Sequence, residues 1–202
     1  NLLRTFLRQD PDVILIGETR DPETAVSSMD AAERGHLVFT TLHANSAASS
    51  LTRLLDMEVP SYKLTASLRG VLAQRLMRKV CPECSSTRTI NDAESRFTGL
   101  IRGTVVRVAT ALKAEEKEQR NREGTLCTRC GGTGYKGRIG IYELMRMNRR
   151  ISDAIKQNKS SQEIEDIAVA DGMITLKSYA VDLIKNQLTT VSELMKILDD
   201  NN

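Results

Sequence analysis

Tryptophan is absent, and aromatic residues make up only 3% of the 202-residue chain. That scarcity argues against a stacking platform for single-stranded nucleic acid. Charge of neither sign dominates: 29 Lys and Arg stand against 26 Asp and Glu, a net +3, too balanced to imply a nucleic-acid partner by itself. No apolar run approaches the roughly 18 residues of a membrane-spanning helix, so no transmembrane segment is expected. The N-terminus lacks the charged-then-apolar order of a secretory signal. A phosphate-binding loop is also missing: none of the 12 glycines opens a Gly-x-x-x-x-Gly-Lys-Ser/Thr cradle. Gly132-Thr133-Gly134-Tyr135-Lys136-Gly137 fails that spacing and precedes a strand rather than a helix. Lastly, no cysteine is left unpaired in the pattern.

All four cysteines fall in two short pairs, Cys81-Pro-Glu-Cys84 and Cys127-Thr-Arg-Cys130. Two residues between sulfurs let one tight turn aim both thiolates at a single ion, and two such turns complete a tetrahedral four-thiolate site suited to structural zinc. Disulfides across the intervening residues would require an oxidising compartment, which nothing in the chain suggests. A redox Cys-x-x-Cys would explain one pair and not two.

The order of elements places the chemistry. Asp12-Val13-Ile14-Leu15-Ile16-Gly17-Glu18 is a β-branched run ending in an acid and reads as a buried parallel strand. Asp21-Pro22-Glu23 starts a helix that Gly35 stops. Leu37 to Leu42 is a second buried strand, Ser46 caps a helix carrying Leu51, Leu54 and Leu55, and Pro60 to about Val80 reads as mostly helical. Strand, helix, strand, helix means a parallel sheet with helices on its faces, so residues 1–80 form part of an α/β core. Two strands are fewer than the usual five or six, so the remainder of the sheet is expected upstream of Asn1. The uncapped amphipathic start at Leu2, Leu3, Phe6 and Leu7 also suggests a piece of a longer protein. Residues 81–140 form a small tetracysteine subdomain whose Lys113–Glu123 stretch reads as a solvated face or loose hairpin. Ile139 to Leu144 reads as a strand leaving the glycine-rich loop, and residues 141–202 form a strand plus a helical C-terminal subdomain. In it, Ser160-Ser161-Gln162-Glu163 and Thr190-Val191-Ser192-Glu193 fit capping boxes, with Gly172 as a stop between them.

Glu18 leaves an apolar strand at the carboxyl edge, where open α/β sheets bind ligands. There it could orient a water for attack on a terminal phosphate or hold magnesium through water; the alternative is a surface acid paired with Arg20. The two histidines, His36 and His43, bracket the second strand, and their odd separation puts them on opposite faces. His43 shares an edge with Glu18 if the strands are parallel and could contact a phosphate. His36, at the other end, reads as a structural histidine.

Together these residues resemble the Walker B region and His box of type II secretion and type IV pilus assembly ATPases. The resemblance runs through Leu7-Arg8-Gln9-Asp10-Pro11-Asp12, Gly17-Glu18-Thr19-Arg20-Asp21, Gly35-His36-Leu37-Val38 and Thr41-Leu42-His43-Ala44-Asn45. It continues in Gln74-Arg75-Leu76, the two cysteine pairs, and Gly134-Tyr135-Lys136-Gly137-Arg138-Ile139-Gly140-Ile141-Tyr142-Glu143. The resemblance implies a RecA-like P-loop core, a hexameric ring on the cytoplasmic side of an inner membrane, and platform proteins as partners. It implies ATP and Mg2+ as ligands of the full-length motor, Glu18 and His43 as catalytic residues, and His36 beside them in nucleotide binding. It also implies Cys81, Cys84, Cys127 and Cys130 as zinc ligands. That family carries glycine, here Gly17, in place of the usual Walker B aspartate. Its phosphate-binding loop would precede Asn1, so the chain alone is expected to be inactive. Two other readings compete: Cys127-Thr128-Arg129-Cys130-Gly131-Gly132-Thr133-Gly134 also resembles one zinc repeat of Hsp40 co-chaperones, and the insert arginines Arg102, Arg107, Arg120 and Arg122 allow a nucleic-acid-binding zinc ribbon.

Overall fold

The computed structural model describes Gln9 and residues 11–199; the amphipathic start at Leu2–Leu7 lies outside them. The chain divides into two compact units, Asn1–Ala73 with Glu143–Ile174, and Gln74–Tyr142 with Thr175–Asn202. Neither unit is continuous in sequence.

In the first unit, β1 (Val13–Ile16) and β2 (Leu37–Thr40) pair in parallel, with Val13 opposite Leu37 and Leu15 opposite Phe39. Helix α1 (Pro22–Glu33) makes the crossover. The Asp21 carboxylate accepts from the Thr24 amide at 2.8 Å, and Pro22 fills the first turn, where no amide partner is needed. Gly35 ends the turn after α1 at φ 104°, a conformation glycine adopts without a Cβ clash. Ala25 and Met29 of α1 pack on Leu54, Met57, Val59 and Leu64, which α2 (Ala47–Asp56), α3 (Ser61–Ser67) and their link supply. Helices α6 (Arg149–Lys156) and α7 (Ser161–Ala170) add Ile151, Ile155 and Ile164, all fully buried. The capping box at Ser160 and Glu163 is present.

Two sequence expectations change here. The strands are parallel, but they are not buried on both faces. Val13, Leu15, Leu37 and Phe39 share one face and are 56%, 76%, 51% and 53% exposed. Among the described residues no third strand joins this pair, and a parallel sheet is dry only when layers cover both faces. Nor is the stretch from Pro60 to Val80 mostly helical: α3 stops at Ser67 and Gly70–Val80 is strand β3. β3 pairs with β6 (Tyr135–Arg146). A Cβ at Gly70 would sit 3.1 Å from the Met145 carbonyl oxygen, so the close approach of the two strands favours glycine there.

The second unit carries the insert. β4 (Ser86–Thr89) and β5 (Val105–Val108) form an antiparallel pair, joined through α4 (Asp92–Thr98). Asn91 caps α4, and Glu94 closes the box while accepting from Arg88 at 2.7 and 2.5 Å. Helix α5 (Ala114–Arg122) covers most of the charged stretch and buries no residue, consistent with a solvated face. Helices α8 (Leu176–Lys185) and α9 (Val191–Asp199) close the unit.

In the expected Thr190 box only half forms. Thr190 Oγ1 accepts from the Glu193 amide at 3.3 Å, but the Glu193 carboxylate turns to Arg78, at 2.6 Å from Nη2 and 3.0 Å from Nε. Burial works against the Glu193 charge, yet the Arg78 guanidinium holds the carboxyl below its usual range. A folded carboxyl that titrates low stabilises the fold above the unfolded value of about 4.3, and that contribution is lost as pH falls through the folded one. Because the Arg78 side chain is 42% exposed, solvent screening limits the pair to about 1–2 kcal/mol. Glu193→Gln is therefore expected to lose about that much at pH 7 and to converge on the parent protein as the pH drops below about 4. Urea unfolding at several pH values reads the difference.

Candidate functional site

Beyond the ends of β1 and β2 the chain is laced by threonines. The Thr19 amide donates to the Thr41 carbonyl at 2.9 Å, the Thr41 hydroxyl donates to the Gly17 carbonyl at 2.6 Å, and the Thr19 and Thr40 hydroxyls lie 2.8 Å apart. Thr19 is only 2% exposed. This lacing fixes the short segment bearing Glu18 against the loop bearing His43.

Glu18 sits at the carboxyl edge of the parallel pair with its side chain one-fifth exposed. Oε2 meets Arg20 Nη2 at 2.5 Å and Oε1 meets His43 Nε2 at 3.0 Å. The hydrogen bond from Arg20 is the main influence holding the Glu18 carboxyl below its ordinary range; partial burial opposes it, and the charges of Arg20 and His43 add to it. Glu18 is accordingly an anion at neutral pH, an acceptor beside two donors. The Arg20 and His43 side chains are 77% and 91% exposed, so both are open to a ligand that competes for them. A carboxylate so placed can accept a proton, orient a water, or hold a hydrated divalent ion.

His36 is elsewhere. It precedes β2 and its Nδ1 donates to the Pro11 carbonyl at 2.8 Å. A four-residue strand, about 13 Å long, separates the two ends of β2. The structure thus brings Glu18 and His43 together and leaves His36 at the opposite edge.

One functional neighbour escapes the sequence reading. Glu143 is 2% exposed, and its Oε1 accepts from the Ala47 amide at 2.7 Å, in the first turn of α2. A carboxylate at a helix N-terminus answers both the free amides and the dipole. With the Ser46–Ser49 capping box, it anchors the end of the loop that carries His43. The signal lies in the alternation of Ile141, Glu143 and Met145, all buried: a charge on the inward face of a strand needs a partner.

The second unit holds the four cysteines. Cys81 directly follows β3, and Cys127 and Cys130 lie in the loop before β6. Turns bring each pair round, with the Ser85 amide on the Cys81 carbonyl at 3.2 Å and the Gly131 amide on the Cys127 carbonyl at 2.9 Å. At Gly134, φ 76°, a Cβ would lie 2.9 Å from the Thr110 backbone, so only glycine lets that loop close. All four thiols are free, and their sulfurs lie within 4.8 Å of one another. Cys81 and Cys127 are 3.9 Å apart, and Cys84 and Cys130 are 3.4 Å apart. A tetrahedron with Zn–S bonds of about 2.3 Å has edges of about 3.8 Å, so the cluster fits that ion. Burial disfavours the Cys130 thiolate, but amides of Gly134 and Gly132 and the thiols of Cys84 and Cys127 prevail and bring it to about 6. Burial and the neighbouring sulfurs push Cys84 up. A divalent cation would draw the remaining protons off such a cluster.

The family described as Type II/IV secretion system protein matches residues 1–196. The type IV pilus assembly ATPase PilB of Thermus thermophilus is 43% identical over 193 residues, 96% of this chain and 20% of that protein. The type II secretion system protein E of Dickeya dadantii is 39% identical over 195 residues, 96% of this chain and 36% of that protein. The chain thus spans about a third or less of these curated relatives. Among solved structures, the pilus retraction motor PilT with bound ADP aligns at a TM-score of 0.62 and 27% identity, covering 97% of this chain and 42% of that one. The ATPase DotB of Legionella pneumophila, at a TM-score of 0.60 and 17% identity over 98% of this chain and 41% of that one, shares the fold. The α/β fold read from the sequence is the one these ATPases carry. On the match over residues 1–196, the chain belongs to the Type II/IV secretion system protein family.

Proposed function

We propose that this chain is the C-terminal part of an ATP-hydrolysing motor that drives type II secretion or type IV pilus assembly. The 3.0 Å contact between Glu18 and His43 at the carboxyl edge of the parallel pair carries the reading. Glu18 polarises the attacking water, and His43, released from the carboxylate, contacts the terminal phosphate. His36, hydrogen-bonded to the Pro11 carbonyl at the far end of β2, has a structural part. ATP and Mg2+ are held chiefly by a phosphate cradle outside these residues, since no Gly-x-x-x-x-Gly-Lys-Ser/Thr occurs within them. The open face of Val13, Leu15, Leu37 and Phe39 is covered in the longer protein by the rest of the core. Cys81, Cys84, Cys127 and Cys130 hold a structural zinc ion, which supplies a cross-link rather than chemistry. The longer protein works as a homo-hexamer on the cytoplasmic face of an inner membrane, docked on the secretion or pilus platform. No helix among the described residues is long and apolar enough to cross a membrane.

The test compares phosphate release from ATP by the zinc-loaded chain alone and by the longer protein that contains it. Turnover is expected only in the longer protein. Equal turnover in both, or none in either, overturns the assignment.

A further inference from the structure

The second unit contains a cavity of about 500 Å³ that the chemistry above does not use. Its charged lining is entirely cationic: Lys79, Arg107, Arg129, Lys136 and Lys185. We propose that this cavity binds a compact oligophosphate anion, a soluble molecule with two or more linked phosphates.

The argument begins with how little of that charge is neutralised. Arg129 pairs with Glu83 at 3.2 Å and Lys185 with Asp182 at 3.5 Å, both in half-exposed pairs of small energetic weight. Lys79 and Lys136 have no ion pair among the described residues. Arg107 is oriented without being neutralised: Nη1 donates to Ser85 Oγ at 2.9 Å and Nε leans on Gln187 Oε1 at 3.4 Å. Five cationic residues thus line the cavity, against two carboxylates that do not. Cations held together repel, and a concave wall concentrates their field. A ligand carrying several negative charges in a small volume answers that arrangement best, and paired guanidinium and ammonium donors suit phosphate oxygens.

Gln187 supports the same view. It follows α8 at φ 57°, a left-handed position where glycine would be less strained. The glutamine keeps a side chain there that reaches Arg107. Two features oppose an anion: the carboxyl end of α8, whose dipole favours cations, and the tetrathiolate, which with zinc carries two negative charges. The end of α8 is already capped, since the Ile184 and Leu183 carbonyls accept from the Gln187 and Leu188 amides at 2.9 and 3.0 Å. Size excludes a long polymer from the cavity itself, as 500 Å³ falls in the small-molecule range. No aromatic ring lines it for base stacking.

Titration calorimetry of the zinc-loaded chain with sodium pyrophosphate and then tripolyphosphate, at constant zinc content, tests the site. Saturable binding with a dissociation constant below about 1 mM at physiological salt is expected, tighter for the longer anion and weaker as salt rises. Lys79→Ala with Lys136→Ala should weaken it at least about tenfold. The charge-matched pair Lys156→Ala with Lys159→Ala, in the first unit, should leave it within about twofold. No saturable binding, equal loss in both double variants, or binding only to phosphatidic acid vesicles would overturn the proposal. The readout is binding to the chain alone, so its failure is separate from any failure of ATP turnover in the longer protein.

Discussion

Serine in place of Cys130 is expected to strip zinc from the chain and unfold the stretch from Cys81 to Gly134. Between residues 81 and 140 the buried aliphatic side chains are Ile90, Leu100 and Val106. Their burial contributes about 5–9 kcal/mol in all, a thin core for a segment of this length. Helix α5 adds nothing to the core, since it buries no residue. On the proposed zinc assignment, the four thiols supply the cross-link that this thin core lacks. A structural zinc ion contributes roughly 10–16 kcal/mol in comparable small folds, more than the aliphatic burial in this segment. Cys130 is a buried member of the cluster, 8% exposed, and the glycine amides of its loop favour its thiolate. Serine keeps the shape and removes the soft ligand. Metal content is expected to fall from one zinc per chain to under about a tenth, and amide exchange between Cys81 and Gly134 to approach that of an unfolded chain. The first-unit core at Ile151, Ile155 and Ile164 should keep its protection. Native mass spectrometry and hydrogen exchange read both, and retained zinc with unchanged exchange would remove Cys130 from the ligand set and the cross-link with it.

The cysteine cluster is legible because its information is local: a two-residue spacing fixes a turn whatever lies around it. The same holds for the Asp21-Pro22 start, the Ser160–Glu163 box and the crossover between β1 and β2, all set by neighbouring residues. β3 reads as a helix for a physical reason. The helical rhythm over Leu64, Leu68, Val71, Leu72 and Leu76 rests mainly on four-residue steps, and four is close to a helical turn and also an even number, which a strand's alternation satisfies equally. The burial pattern resolves it: Ala73 and Met77 point inward while Leu72 and Leu76 are 59% and 53% exposed. Gly70, pressed against Met145, is the available warning. Asn91 and Glu94 are likewise a readable capping box inside the insert. The Thr190 box fails in half because Arg78, over a hundred positions away, competes for the Glu193 carboxylate, and spacing rules carry no long-range terms. The meeting of Glu18 and His43 is conditional in the sequence on a parallel pairing; the register of Ile16 with Thr40 supplies that condition.

Glu18→Gln in the longer motor protein should leave ATP binding near its parent value and slow hydrolysis by about 10²–10⁴-fold. The substitution is nearly isosteric, so the threonine lacing of Thr19, Thr40 and Thr41 that positions this residue is untouched. What changes is charge. Glu18 is kept anionic by Arg20 and His43, and only an anion can pull a proton from the attacking water or hold a hydrated magnesium ion strongly. The amide would still accept a hydrogen bond through its oxygen, so binding survives while the reacting step loses its base. This pattern separates a catalytic group from a merely structural one: a structural acid would raise the nucleotide dissociation constant or lower the melting temperature and leave the turnover of the folded, saturated enzyme alone. His43→Ala tests the other half of the pair. If His43 reports the terminal phosphate, the variant loses up to about tenfold in turnover and discriminates less between ATP and ADP, because the phosphate it contacts is the one that departs. Parent-like turnover in Glu18→Gln at saturating ATP would leave the 3.0 Å contact as a surface ion pair and remove the reading of this edge as the catalytic one.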